Sequence, residues 1–363
     1  MRRALTRLLV ILPALLGLAS AARGDEAPRR DWVFIPALGY STDTELMGGA
    51  MLMRLFGCEE TDDPDCRRSN VALSFLYSQK RQVIAALGGE NYWTGRRHHL
   101  VWGLDYKKFP STYYGMGRAT PVGTEEDYTP RGGSGALTYL RRLGSAWELG
   151  ASASGGRRSY GELEAGGVLE SAVLTGSDGY AFAGLGLLVR YDSRDSDWWP
   201  RRGLFASLSG TAFRRGLGGD LDWERYGIDL RGYRAVGALG VLALQLALDD
   251  AHGDVPFDQL PALGGDQELR GYPGARYRDR SRFLAQLELR RSSLVGPLGV
   301  VLFAGLGDVA PRVADLRPGD PRVGGGLGFR YLYDAGSELH LRFDLGWGEQ
   351  GESSVTMSVG EAF

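Results

Sequence analysis

The segment 283-FLAQLELRR-291 alternates apolar and polar side chains along its whole length. Successive side chains of an extended chain point to opposite faces. Phe283 and Leu287 therefore share an apolar face, while Gln286 and Glu288 share a polar one. This alternation predicts a β-strand whose two faces meet different surroundings.

Strand number and length decide between a soluble sandwich and a membrane barrel, because both folds give this alternation. The pattern recurs in 241-VLALQLALDD-250 and 340-HLRFDLGW-347. Sixteen such segments begin near Trp32, Leu46, Val71, Gln82, His99, Gly133, Ala146, Ala181, Gly203, Trp223, Leu239, Phe283, Leu298, Arg322, Glu338 and Ser353. Most run about ten residues, enough for a tilted strand to cross a bilayer, whereas sandwich strands average about five or six. We therefore predict an all-β fold, a 16-stranded antiparallel transmembrane β-barrel over residues 32–363.

The first residues carry the order of charges expected of a secretory signal peptide. Three arginines precede the apolar run 8-LLVILPALLGL-18, and the small residues 19-ASAA-22 follow it. Residues 1–22 are therefore predicted to be a cleaved signal peptide, and 23–31 a short N-terminal segment. With a barrel behind it, this leader predicts localisation in the bacterial outer membrane, with outer-membrane lipid as a partner.

Composition and motifs exclude several function classes. The formal net charge of −2 and the pI near 6.2 give no support for a nucleic-acid partner. The four histidines lie outside metal-ligand spacing, and we find no phosphate-binding loop or Gly-x-Ser-x-Gly elbow. We predict no cofactor, no metal and no enzymatic activity. The weaker alternative is a rim-catalytic barrel enzyme that uses His98 and His99.

Aromatic residues fall mostly near the ends of the segments, where the interfacial girdles of a barrel would lie. The alternative is that they pack a soluble core. The residues in question are Trp93, Trp102, Trp147, Trp198, Trp199, Trp223, Trp347, Tyr113, Tyr114, Tyr191, Tyr272 and Tyr331.

The two cysteines flank the short acidic stretch 57-GCEETDDPDC-66. An oxidising compartment and an even count favour a Cys58–Cys66 disulfide. The alternative is a calcium site formed by the carboxylates between the two cysteines, because hard cations such as calcium prefer oxygen ligands. The spacing lacks the regular alternation and glycine of a calcium loop, so we predict the disulfide.

The connection before the twelfth segment is the longest, about 30 residues, well past ordinary hairpin length. It contains 264-GGDQELRGYPGARYRDR-280, which is rich in glycine and arginine. Counting from a periplasmic N-terminus makes it the sixth extracellular loop. We predict that it folds into the lumen, where its charges would meet the inward polar side chains.

This block and the strand after it resemble the sixth loop and twelfth strand of the bacterial surface antigen family, the barrel of BamA- and TamA-type outer-membrane assembly factors. The resemblance implies that Arg270, Gly271 and Tyr272 form a tip inside the lumen. It also implies that Glu288 is the inward carboxylate that pairs with the arginine.

Three further blocks are similar to the same family. The run 190-RYDSRDSDWWPRRG-203 resembles its hairpin motif, and 109-FPSTYYGMG-117 resembles its Tyr-Tyr-Gly-x-Gly segment. The ending 359-VGEAF-363 resembles its last strand, which implies that Phe363 is the terminal aromatic read by the assembly machinery. The hairpin residues that carry the resemblance are Asp192, Arg194, Asp195, Pro200 and Gly203.

Two departures from the family pattern affect what the resemblance implies. The thirteenth segment reads 303-FAGLG-307, with Gly305 where the family has an acid. The first strand is predicted near Trp32, so the periplasmic POTRA domains of the assembly factors are not expected ahead of the barrel. The resemblance then implies a separate POTRA or lipoprotein partner.

Two function classes remain open at this point. The first is a barrel that aids insertion or translocation of a polypeptide or lipid through an opening between the first and last strands. The second is a passive or substrate-selective pore plugged by the sixth loop. Pro36 removes one hydrogen-bond donor from the first strand, which favours a weak seam; the alternative is a proline tolerated at an edge.

Overall fold

The computed structural model describes residues 31–41, 45–57, 68–93, 97–120, 123, 125–334 and 338–363. The predicted signal peptide (1–22) and nearly all of the segment 23–31 lie outside the described residues, as do Cys58 and Cys66. Trp32–Phe363 form one unit. No helix within the described residues is long and apolar enough to span a membrane.

Sixteen long strands and three short ones make up the described chain. The long strands are β1 (Trp32–Ser41), β2 (Glu45–Phe56), β3 (Ser69–Ser78), β4 (Val83–Trp93), β5 (His98–Lys108), β7 (Glu126–Leu143), β8 (Trp147–Gly161), β9 (Tyr180–Asp192), β10 (Gly203–Phe213), β11 (Trp223–Ala235), β12 (Val241–Gly253), β15 (Ser281–Val295), β16 (Leu298–Ala310), β17 (Arg322–Asp334), β18 (Leu339–Gly348) and β19 (Ser353–Val359). The short strands are β6 (Ser111–Tyr113), β13 (Ala262–Leu263) and β14 (Tyr277–Arg278). Single 3-10 turns occupy Arg215–Leu217, Gly237–Leu239, Phe257–Gln259, Val313–Asp315 and Glu349–Gly351.

The long strands pair antiparallel with their neighbours in chain order, and the pairing returns to β1 through β19. This last contact is short: among the described residues only Tyr40↔Met357 and Ser41↔Thr356 are register partners. Every other pair of neighbouring long strands shares seven or more register partners. Within the described residues, β1–β19 is therefore the weakest seam of the barrel.

The alternation places apolar side chains outside and polar ones inside. In β12, Leu242, Leu244 and Leu246 are 38–43% exposed, whereas Gln245 is only 8% exposed. A soluble sandwich would bury the leucines instead. An apolar outer surface around a polar interior is the arrangement of a transmembrane barrel, so the predicted fold class is confirmed.

The aromatic residues divide between the two surfaces. Trp93, Trp147, Trp198 and Trp347 are about half exposed, as girdle residues are expected to be. Four others are almost completely buried, so the girdle prediction is wrong for them. They are Tyr113, Trp199, Trp223 and Tyr272, whose rings pack against loops and other side chains inside the barrel.

Candidate functional site: the loop-6 tip inside the barrel

Loop 6, residues 254–280, joins β12 to β15 and carries its middle into the interior. Its neck is the two-stranded pair β13–β14. Above the neck, the amide of Gly264 donates to the carbonyl of Glu268 at 2.9 Å, and the amide of Gly265 donates to that of Tyr272 at 3.1 Å. Both glycines have positive φ, which L side chains rarely adopt. The turn therefore presents residues 269–271 to the inner faces of β15, β18 and β19.

Arg270 bridges the inward faces of β15 and β18. One end of its guanidinium donates to Asp344 Oδ2 at 2.7 Å and the other to Glu288 Oε1. The guanidinium carbon lies 3.8 Å from the centre of the Phe303 ring on β16. The arginine is only 2% exposed. Charge-assisted bonds of this kind are about twice as strong as neutral ones, so one side chain connects the loop to three strands.

Asp344 supplies a second carboxylate, which the sequence alone does not identify as a partner of Arg270. A Cβ at Gly305, where the family has its acid, would lie 3.3 Å from Leu269 Cδ1, so the loop fills that space. The signal for Asp344 was present in the alternation of β18, where His340, Arg342 and Asp344 share the inward face. Nothing in the sequence distinguished which inward acid would meet Arg270.

The arginine belongs to a larger buried ion network. Glu288 also accepts from Arg290 Nε at 2.5 Å, and Asp344 Oδ1 accepts from Arg330 at 2.6 Å. Charge in the interior is tolerated only where it is paired. Among the described residues, the ion pairs of the network join four arginines (Arg270, Arg290, Arg330 and Arg342) to four side-chain carboxylates (Asp266, Glu288, Asp344 and Glu361), so its side-chain charges balance.

The other two tip residues fix the loop backbone to the wall. The amide of Gly271 donates to Ser354 Oγ on β19 at 3.0 Å. The hydroxyl of Tyr272 donates to the carbonyl of Val323 at 2.8 Å and accepts from the amide of Glu349 at 2.9 Å. Burial raises the pKa of Tyr272 to about 12, so the hydroxyl keeps its proton and can donate.

The last residues of the sequence also reach the network. β19 ends at Val359, and Gly360, with φ of +80°, turns the chain inward. Glu361 accepts from Arg330 Nε at 2.8 and 2.9 Å. Phe363 packs with Tyr233, Val241 and Ala243, and its main-chain oxygen accepts from Arg290 at 2.8 Å.

Phe363 therefore lies four residues beyond β19, in the interior, and not on the last strand where the sequence analysis placed it. The prediction of a terminal strand aromatic is wrong in this respect, because Gly360 ends the strand before Phe363. Its role as an assembly signal stays a prediction.

The 109–117 run contacts the neck of loop 6. Tyr113 packs edge-on against Phe257, with ring centres 5.6 Å apart, and the amide of Gly117 donates to the carbonyl of Arg278 at 2.8 Å. The guanidinium of Arg278 lies 5.4 Å from the Tyr113 ring. This block therefore supports loop 6 at Phe257 and at the neck residue Arg278.

The hairpin motif forms a compact turn between β9 and β10. Arg194 donates to both oxygens of Asp192, at 3.0 and 2.8 Å, and lies 4.8 Å from the Phe205 ring. Asp195 Oδ1 accepts the amides of residues 201 and 202 at 2.9 and 3.2 Å. Gly203 has φ of +109° at the point where β10 begins. Pro200 lies in the turn, next to the buried Trp199.

Arg194→Ala is expected to lower the free energy of unfolding by about 1–2 kcal/mol, because a partly buried bidentate pair and a cation–π contact are lost. The measurement is urea unfolding of the barrel in lipid vesicles. Arg202→Ala is the control, since its side chain is 83% exposed and 3.7 Å from Asp195. Equal losses in the two variants would mean that the Asp192 pair contributes nothing.

The remaining predicted positions give no second site. Within the described residues, no group of three or more histidine, cysteine or acidic side chains could hold a metal ion. His98 Nδ1 lies 2.6 Å from the hydroxyl of Tyr139, and the His99 ring stacks on Tyr92 at 4.3 Å. Both histidines are thus placed by packing with aromatic residues. The Cys58–Cys66 disulfide lies outside the described residues and stays a prediction.

The protein has the features of one class, the outer-membrane β-barrels with an inserted loop. These features are an apolar outer surface, a ring of sixteen antiparallel strands and a long loop held inside by a buried arginine. The Omp85 superfamily domain matches residues 67–363. The chain belongs to this superfamily, which includes the assembly-factor barrels that its loop and hairpin motifs resemble.

Solved structures show the same fold at low identity. The chain is similar to BamA from Haemophilus ducreyi lacking POTRA domains 1–3, with a TM-score of 0.63, 16% identity and coverage of 92% of this chain and 70% of that one. It is also similar to CdiB from Acinetobacter baumannii (0.59, 13%, 91% and 60%) and CdiB from Escherichia coli (0.61, 11%, 92% and 63%). The chain thus spans less than two thirds of either CdiB chain. No curated protein sequence matches.

Proposed function

We propose that this barrel aids the insertion or translocation of a polypeptide or lipid at the outer membrane by opening between β1 and β19. The observation that carries the proposal is the weak seam, with two register pairs among the described residues. Each backbone bond missing from a seam in lipid lowers the cost of separating its strands. In the proposed orientation, β1 and every second strand after it around the ring begin at the periplasmic face. Loop 6 enters the lumen from the extracellular side.

The turn at Gly360 gives the seam a physical cause. Continued from the Tyr40↔Met357 pair, the register would place residues 34–37 of β1 opposite residues 360–363, and this part of the chain leaves the wall for the lumen. Glu361 holds it there through Arg330, itself paired with Asp344. The same acid binds Arg270 of loop 6, so the seam and the loop share one set of charges. A periplasmic POTRA or lipoprotein partner would deliver the client.

A plugged or substrate-selective pore is the second candidate, and one observation favours it. A polar cavity of about 220 Å³ lies inside the barrel beside loop 6. Charged residues of β11, β12 and β15 line it, among them Arg225, Asp229 and Arg282. A pore would use this space with the seam closed. A rim-catalytic enzyme has no comparable support, and we propose that the chain is not an enzyme.

A disulfide across the seam separates the two candidates. In a chain with Cys58→Ser and Cys66→Ser, Ser41→Cys and Thr356→Cys place thiols on register partners of β1 and β19. The readout is the rate at which an unfolded outer-membrane barrel folds into vesicles that contain the protein. Oxidation is expected to reduce the acceleration at least about ten-fold, and a reductant should restore it, because a covalent seam cannot open.

Leu341→Cys with Val359→Cys is the matched control, since these register partners join β18 to β19 and leave the seam free. Its oxidation should change the folding rate little. If the oxidised seam retains full acceleration, or if the protein never accelerates folding and conducts ions equally in both redox states, the pore is the better account.

A further inference from the structure

A groove on the outer surface of β1–β4 combines one arginine with apolar walls. Its volume is about 570 Å³, and Trp32, Arg54, Leu52, Leu73 and Leu87 line it. Trp32, Leu52 and Leu73 are 57%, 43% and 56% exposed, so these side chains face the membrane and not the lumen. The groove is therefore separate from the loop-6 site.

Strand register explains the shape of the groove. Trp32, Arg54 and Val71 are successive cross-strand partners, and the next partner is Gly89, where the Trp102 indole nitrogen lies 3.3 Å from the position of a Cβ. One step along the strands, Leu52, Leu73 and Leu87 form a second row of partners. Side chains two residues apart on a strand are about 7 Å apart. The row that contains Arg54 thus lies directly beside an apolar row.

Within the part of the chain that the structure describes, the charge of Arg54 has no carboxylate partner. Its guanidinium lies 5.7 Å from the Trp32 ring. The arginines of the lumen network, in contrast, all have carboxylate partners. Trp102, on the same outer face, donates its indole N–H to Asn91 at 3.0 Å. Tryptophans with polar partners mark the headgroup level of a bilayer.

We propose that this groove binds an anionic phospholipid, with the phosphate at Arg54 beside Trp32 and an acyl chain over Leu52, Leu73 and Leu87. A guanidinium at the headgroup level that pairs with none of the described carboxylates attracts net negative charge. Its planar fork also fits phosphate oxygens, which a point charge fits less well. The apolar row then covers the first part of the chain. The site lies next to β1, so the bound lipid contacts the strand that forms the weak seam.

The test is native mass spectrometry of the full chain released from nanodiscs of phosphatidylglycerol and phosphatidylethanolamine. The wild type should retain one phosphatidylglycerol, with about a five-fold preference over phosphatidylethanolamine. Arg54→Gln should abolish the preference, and Arg54→Lys should keep part of it. Arg141→Gln is the matched control, because Arg141 is also exposed and lies at the same end of the barrel, on β7, away from the groove.

Leu73→Trp tests the acyl contact separately, since it fills the groove and leaves Arg54 in place. It should also lose the retained lipid. Unchanged retention in Arg54→Gln, or equal loss in Arg141→Gln, would overturn the proposal. If inorganic phosphate displaces the lipid and Leu73→Trp retains as much lipid as the wild type, the site binds phosphate without a lipid chain. That result would also overturn the proposal. Each variant is first checked for the heat-modifiable mobility of the folded barrel.

Discussion

Replacing Arg270 with alanine is expected to lower the free energy of unfolding by about 3–5 kcal/mol, because breaking a buried ion pair leaves charge without compensation. Glu288 and Asp344 would each lose one of their arginine partners while remaining 0% and 2% exposed. The tip would also lose its contact with the Phe303 ring. Loop 6 should then become accessible to a protease added at the end of the barrel where the loop enters.

Urea unfolding in vesicles measures the loss of unfolding free energy. A second measure is the temperature at which the folded band on a gel converts to the unfolded band. Arg312→Ala is the control, because this arginine pairs with Asp315 at the surface with its side chain 78% exposed. Exposed pairs contribute about 0.2–1 kcal/mol. A loss in Arg270→Ala no larger than that of the control would mean that the buried network does not stabilise the barrel.

A double variant distinguishes charge from packing in that loss. Arg270→Ala with Glu288→Gln leaves three arginines and three side-chain carboxylates in the network, so its side-chain charges balance again. If uncompensated charge dominates, the double variant should be more stable than Arg270→Ala alone. If lost packing dominates, removing the carboxylate should destabilise the barrel further.

The sequence predicted the wall of this barrel better than its interior. The alternation of apolar and polar residues shows which face of a strand meets lipid, and it can be read in each segment separately. All sixteen predicted segments correspond to the long strands. The largest difference is β7, which begins at Glu126 and not near Gly133. Glycines 132, 133 and 135 obscure the alternation there, because they have no side chain to reveal a face.

Contacts across the lumen could not be predicted in the same way. Asp344 and Arg270 are 74 residues apart, and alternation shows only that Asp344 points inward. Which inward acid meets the arginine depends on how far loop 6 descends and on the size of the side chain at position 305. The inward turn of residues 360–363 could not be predicted for the same reason, since their partners Arg290 and Arg330 are on other strands.

Gly271→Ala is expected to destabilise the barrel by about 3 kcal/mol, from two causes that add. A side chain at φ of +116° is strained, at a cost of about 1–3 kcal/mol. The new Cβ would also lie 2.6 Å from the carbonyl carbon and oxygen of Trp347, in the wall of β18. Overpacking against a fixed backbone costs about 1–3 kcal/mol more. The loop tip should therefore withdraw and weaken the Arg270 contacts.

Two other glycines separate these causes in the same unfolding assay. Gly296 has φ of +58° with open space around its Cβ position, so Gly296→Ala should show only backbone strain, about 1–2 kcal/mol. Gly319 has neither feature, and Gly319→Ala should change stability by less than about 0.5 kcal/mol. If Gly271→Ala costs no more than Gly296→Ala, the tip does not press against β18. The close approach of loop 6 to the wall would then be wrong, and with it the geometry that holds Arg270 between Glu288 and Asp344.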